Sequence, residues 1–287
     1  MRDAPPRPDP PFARRRFGQH FLANPRTATR IVEALAPAPD EPVLEIGPGR
    51  GALTAPLLEA AGRIAAVELD RDLASELRER FDGDRLVLFE TDVLRFPLRK
   101  VAPALGHPDG SLLAIAGNLP YNISKPVASK LVRERAHVRR AVLMFQREVA
   151  ERLTAAPATK AYGPLTVLAG LAYRVTALFD LSPSAFRPRP AVWSTVTRWE
   201  RRDPDDLPGP LEQPLRACLA ACFARRRQTL FNNLRAALPG GADDARALLL
   251  ETGLDPGARA ESLPAASFVA LAKLWPQHLV PPDGSRA

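Results

Sequence analysis

From about residue 42 to residue 156 the apolar positions switch between two periods. Short continuous apolar runs alternate with stretches in which they recur every three or four residues. The runs "PVLEIG" (42–47), "RIAAVELD" (63–70), "RLVLFETDVL" (85–94), "LLAIAGNLPY" (112–121) and "RRAVLMFQ" (139–146) read as strands. Between them, "ALTAPLLEAAG" (52–62), "RDLASELRERF" (71–81), "SKPVASKLVRER" (124–135) and "REVAERLTA" (147–155) read as helices. Gly62 is placed to cap the first helix, and Ser124 is expected at the N-cap of the third. Strand–helix alternation of this kind predicts right-handed crossovers, hence a parallel sheet with helices on both faces.

After Ala156 the pattern changes. "KAYGPLTVLAGLAY" reads as a loop feeding a helix. "RVTALFDL" and "AVWSTVTRWE" follow as strands with no helix between them, expected to complete the sheet as an antiparallel edge hairpin. A charged, Pro-rich linker (201–210) precedes helical patterns at 211–223, 226–238, 243–252 and 264–275. The expected organisation is a disordered basic tail (1–16), an α/β domain (17–200), the linker, and a small all-helical C-terminal domain (211–287). No internal repeat is visible.

A chain of 287 residues accommodates one large and one small domain. No apolar run approaches the roughly 20 residues that span a bilayer, and "MRDAPPRPDPPFARRR" lacks a signal peptide's apolar stretch. A cytoplasmic, monomeric protein without membrane contact is expected. The net charge of +8 changes the picture more. The cations are mostly arginine, with lysine only at 100, 125, 130, 160 and 273, which resembles codon bias. Bias explains the choice of arginine, not the surplus over carboxylates. That surplus points to a polyanion, with nucleic acid first. Arg14, Arg15 and Arg16, and Arg225, Arg226 and Arg227, are candidate phosphate contacts. Cys218 and Cys222, four apart on a helical pattern, are expected as small buried residues. With the four histidines scattered, no metal site is expected.

Gly47, Gly49 and Gly51 lie between a strand and a helix, where glycine lets the backbone approach a ligand and the helix start offers free N–H groups. The spacing Gly47-x-Gly49-x-x-Ala52 also fits the dinucleotide fingerprint, so the loop alone indicates an adenosine-containing cofactor. Glu68 and Asp92 end consecutive strands at the sheet edge where such ligands sit. The first can accept from ribose hydroxyls and the second from an adenine amine. Leu69 and Val93, their neighbours, join the candidate cofactor contacts.

A nicotinamide enzyme needs an acid or base at the reacting carbon. The next strand ends instead in Asn118-Leu119-Pro120-Tyr121. An adenine amine is a weak nucleophile because its lone pair is delocalised into the ring. The Asn118 amide oxygen and the Leu119 carbonyl, in a turn fixed by Pro120, can accept its two hydrogens and aim the lone pair at a sulfonium methyl. Tyr121 offers a face for the extruded base.

Eight ordered motifs then resemble the small-subunit (16S) rRNA adenine N6,N6-dimethyltransferases: "FGQHFL", "LEIGPGRGALT", "VELD", "TDVL", "GNLPYNIS", "FQREVAERL", "YGPLTV" and "FRPRPAVWSTV". "RRRQTLFNNL" and "RAESL" extend the resemblance towards the C-terminus. It implies a Rossmann-like class I methyltransferase sheet and S-adenosylmethionine as cofactor. The implied reaction is dimethylation of two adjacent adenines near the 3′ end of 16S rRNA, on a small ribosomal subunit precursor. It further implies that His20, Leu22, Gly47, Glu68, Asp92 and Asn118 touch the cofactor, and that Phe186 packs on the target base opposite Tyr121. Many members carry Asn where this chain has His20. Two other readings stay open: a 23S rRNA dimethyltransferase, and an RNA-binding assembly factor whose enzyme activity is secondary.

Overall fold

The computed structural model describes residues 19–203, 207 and 209–275. The expected tail, with Arg14, Arg15 and Arg16, lies outside the described residues. The elements run β1 (Phe21–Leu22), α1 (Pro25–Leu35), β2 (Val43–Ile46), α2 (Thr54–Ala61), β3 (Ile64–Glu68), α3 (Arg71–Arg80), β4 (Leu86–Glu90), α4 (Val101–Ala104), β5 (Leu113–Asn118) and α5 (Ser124–Arg133). They continue with β6 (Val138–Gln146), α6 (Arg147–Leu153), α7 (Pro164–Ala172), β7 (Tyr173–Leu181), β8 (Phe186–Arg187) and β9 (Ser194–Arg201). The last helices are α8 (Glu212–Cys222), α9 (Leu230–Ala237), α10 (Ala242–Thr252) and α11 (Ala265–Lys273).

The main sheet has seven strands in the order β4-β3-β2-β5-β6-β9-β7. The first five are parallel. β2 is buried at every residue, so its apolar residues do not alternate with exposed polar ones, and Glu45 is buried with them. The expected hairpin completes the sheet, with its strands in reversed order. β9 inserts between β6 and β7, antiparallel to both, so β7 runs parallel to the other five and forms the edge. The separate two-stranded pair β1–β8 is antiparallel, with Phe21 opposite Arg187 and Leu22 opposite Phe186.

Local chemistry sets the helix ends. Asn24 caps α1, its side chain accepting from the Arg26 amide at 3.0 Å, with Pro25 in the first turn. Asp70 caps α3 through the Asp72 amide at 3.1 Å. Gly62 closes α2 with φ of 75° and its N–H on the Leu58 carbonyl. Ser124 corrects an expectation: it is the first residue of α5 rather than its cap, and its hydroxyl turns back to the Pro120 carbonyl at 3.3 Å. The pattern at 226–238 also begins too early. Thr229 caps α9 through the Asn232 amide, and Asn233 binds the carbonyls of Cys222 and Arg225, holding 225–228 in a turn.

α1, α2 and Leu77 of α3 cover one sheet face. α5, α6 and α7 cover the other, and their apolar cluster continues into α8–α11 without a break. Arg135 ties the linker to this layer, donating to the Leu207 carbonyl and to Glu212 at 2.7 Å. Cys218 and Cys222 are free and buried, with sulfurs 3.9 Å apart. Among the described residues no helix is long and apolar enough to cross a membrane.

Candidate active site

The carboxyl ends of β2–β5 open into two adjoining cavities of about 330 Å³ and 120 Å³. Gln19, Gly47, Glu68 and Pro120 border both. The loop after β2 turns over them because Gly47, Gly49 and Gly51 hold φ of 66°, 55° and 75°, a region that L side chains avoid. The three differ in role. A Cβ on Gly49 would stand 3.0 Å from the Phe21 ring, so its bareness lets β1 close over the cavity. A Cβ on Gly51 would stand 2.8 Å from the Phe81 ring, so Gly51 serves packing against α3 and borders neither cavity.

Glu68 is buried at the end of β3. Its Oε2 accepts from the Gly49 amide at 3.0 Å and its Oε1 from the Asp70 amide at 2.9 Å. Burial raises its pKa, against the lowering effect of those N–H groups. Leu69, Asp92 and Val93 border the smaller cavity with Ile123, and Asp92 is oriented by accepting from the Leu94 amide at 2.9 Å.

Asn118 ends β5 against the larger cavity. Its Nδ2 donates to the His20 carbonyl at 2.8 Å. A carbonyl only accepts, so this contact decides which way the amide faces and leaves Oδ1 for an incoming amine. His20 is held in turn, its Nδ1 donating to the Pro188 carbonyl at 2.8 Å. Leu22, Leu119, Pro120 and Tyr121 border the same cavity. The Tyr121 ring lies 5.2 Å from the His20 ring, centroid to centroid, and its hydroxyl meets the Ser194 hydroxyl at 2.9 Å. Burial pushes the Tyr121 phenol up, with the Ser194 bond acting the other way. Phe186 is not brought to the cavity. It is 1% exposed, beneath β1 in the apolar cluster around Leu22 and Ile31.

Sequence reasoning missed Glu45, which borders the larger cavity from within the strand "PVLEIG". Burial pushes its carboxyl up to about 8, with the Thr54 hydroxyl, 2.6 Å away, lowering it and the Glu68 charge raising it. Ser194 was missed as well, because its partner Tyr121 is 73 residues away. Among the described residues no group of three or more His, Cys, Asp or Glu is disposed to hold a metal ion. Carboxylate acceptors at two strand ends, beside a cradle of bare glycines and two adjoining cavities, fit the hydroxyls and amine of S-adenosylmethionine.

Residues 12–277 match the family model described as ribosomal RNA adenine dimethylase. The chain belongs to this family. It is 42% identical over 259 residues to the ribosomal RNA small subunit methyltransferase A of Aromatoleum aromaticum, covering 90% of this chain and 92% of that one. The corresponding protein of Acidobacterium capsulatum is 44% identical over 261 residues, covering 91% and 89%. Among solved structures, a dimethyladenosine transferase from Plasmodium falciparum aligns with a TM-score of 0.72 at 26% identity, over 88% of this chain and 96% of that one. A 23S rRNA methyltransferase aligns with a TM-score of 0.64 at 26% identity, over 89% and 99%.

Proposed function

We propose that this protein dimethylates the N6 of two adjacent adenines near the 3′ end of 16S rRNA, acting as a cytoplasmic monomer on a precursor of the small ribosomal subunit. The observation that carries this reading is the Asn118 amide, turned by the His20 carbonyl so that Oδ1 is the end that meets an incoming amine. S-adenosylmethionine, when bound, supplies an activated methyl on its sulfonium. Glu68 accepts from the ribose hydroxyls and Asp92 from the adenine amine, with Leu69 and Val93 packing beside them. Gly47 and Gly49 let the backbone approach, while His20 and Leu22 close the cavity from the β1 side. Asn118 Oδ1 and the Leu119 carbonyl accept the hydrogens of the target amine, which localises its lone pair towards the methyl. Pro120 sets that turn and Tyr121 supports the base. Catalysis here is positioning for in-line displacement, with no metal or strong base among the residues used. Phe186 acts indirectly, as packing that supports β1.

The test is to incubate the protein with labelled S-adenosylmethionine and small subunits lacking the modification, then map the labelled nucleosides. N6,N6-dimethyladenosine in 16S RNA is the expected result. Label in 23S RNA alone would assign the protein to the other branch of the superfamily. Binding without transfer would leave it an assembly factor.

A further inference from the structure

The segment joining β8 to β9 carries an exposed aromatic that neither the core nor the methyl-transfer geometry uses. Trp193 is 47% exposed and its neighbour Val192 42%, whereas the other two tryptophans, Trp199 and Trp275, are buried. The segment is tied to the site at several points. Its Pro188 carbonyl accepts from His20 Nδ1 at 2.8 Å, and the Trp193 carbonyl accepts from the Arg147 amide at 2.9 Å. One residue further on, Ser194 turns inward to the Tyr121 hydroxyl while Trp193 turns out to solvent. The indole is therefore displayed from backbone anchored next to the ring proposed to support the target base. It lies beyond β6 at the start of β9, away from the Glu68 and Asp92 half of the cavity.

The surrounding charge selects the partner. Arg189 is exposed in the same segment, and Arg187, at the end of β8, is exposed and also borders the larger cavity. Arg147, at the start of α6, is partly neutralised by Glu151 at 3.2 Å and Asp180 at 3.8 Å. An exposed indole in a stretch that also carries two exposed guanidinium groups suits a nucleobase with phosphates on either side. We infer that Trp193 is a stacking platform for the nucleotide next to the target adenine in the same RNA strand, with Arg187 and Arg189 meeting the flanking phosphates. This rests on the RNA methyl-transfer reading above and adds a residue that sets substrate grip and register. Trp193 directly precedes Ser194, which anchors Tyr121, so the platform is held beside the target-base pocket.

Full-length protein is titrated with a single-stranded oligoribonucleotide containing two adjacent adenines, and indole emission is followed. Stacking on Trp193 quenches the signal of the exposed tryptophan. In W193F the signal left comes from the two buried tryptophans and stays constant through the titration. W193A is expected to bind the oligonucleotide about tenfold more weakly. W193F is expected to keep most of the affinity, and S-adenosylmethionine binding is expected to be unchanged in both. Unquenched emission at saturating RNA, or W193A with wild-type affinity, overturns the inference. So does a W193A defect seen only with assembled ribosomal subunits, which would assign the indole to a protein contact. Methyl transfer by the wild-type protein to undermodified small subunits tests the underlying reading separately. Its absence sinks that reading, whereas its presence beside a W193A that binds the oligonucleotide as tightly as the wild type sinks the platform alone.

Discussion

On the β2–β4 side of the cavity, ligand-facing groups come from short stretches at strand ends, and the side-chain link from Glu68 to Gly49 spans 19 residues. On the β5–β9 side the links are long. Asn118 is set by His20 across 98 residues, Tyr121 by Ser194 across 73, and His20 by Pro188 across 168. The first half offers a ligand backbone shape and carboxylates that local turns already orient. The second is assembled by tertiary contacts, each holding one side chain in a particular direction. The cradle therefore suits a ligand shared by many enzymes, while the assembled half can be altered residue by residue to choose the acceptor.

The largest effect is expected on the assembled side. Asn118→Ala removes the proposed amide acceptor. It should lower single-turnover methyl transfer by about 10²–10³, the usual loss for one positioned polar contact in a transition state, with RNA affinity changed less than about twofold. Equal loss of transfer and RNA binding would show that Asn118 serves the fold.

Two glycines then sharpen the distinction inside the cradle. Gly49→Ala forces a left-handed L residue and presses on Phe21. It should weaken S-adenosylmethionine binding by about tenfold, in line with a cost of 1–2 kcal/mol. Gly51→Ala presses on Phe81 instead. It should lower thermal stability by about 1–3 kcal/mol, with ligand affinity per folded molecule retained. Calorimetry of both variants checks the pair, and interchanged phenotypes would refute the division of roles.

Glu45 links the cradle to pH. Its folded-state pKa of about 8 exceeds the ordinary 4.5, so the folded protein holds the proton more tightly. The contribution to stability is full below pH 4.5 and falls as pH rises towards about 8. Glu45→Gln should flatten the decline in melting temperature across that window, removing a slope worth on the order of a few kcal/mol. An unchanged slope would mean that Glu45 ionises normally.

The smallest effect is expected at Ser194→Ala. Losing the Tyr121 anchor should cost about 1 kcal/mol in RNA KM, a few-fold change, with S-adenosylmethionine affinity unaltered. A cofactor-side defect of the same size would erase the contrast between the halves.

The sequence by itself determined the parallel sheet, the positions of its strands and the glycine loop with Glu68 and Asp92. These depend on period, on short spacing and on conformations only glycine adopts easily, all of which are local. Recognition of the family was equally available, since the ordered motifs cover most of the chain. The tertiary structure decided the rest. It placed β9 inside β7, seated Phe186 in the core rather than on the cavity, and separated Gly49, which faces β1, from Gly51, which faces α3. It also chose the face of the Asn118 amide. Each of these depends on which distant atoms meet, and residue type does not encode a partner 98 or 168 positions away until the chain has closed on itself.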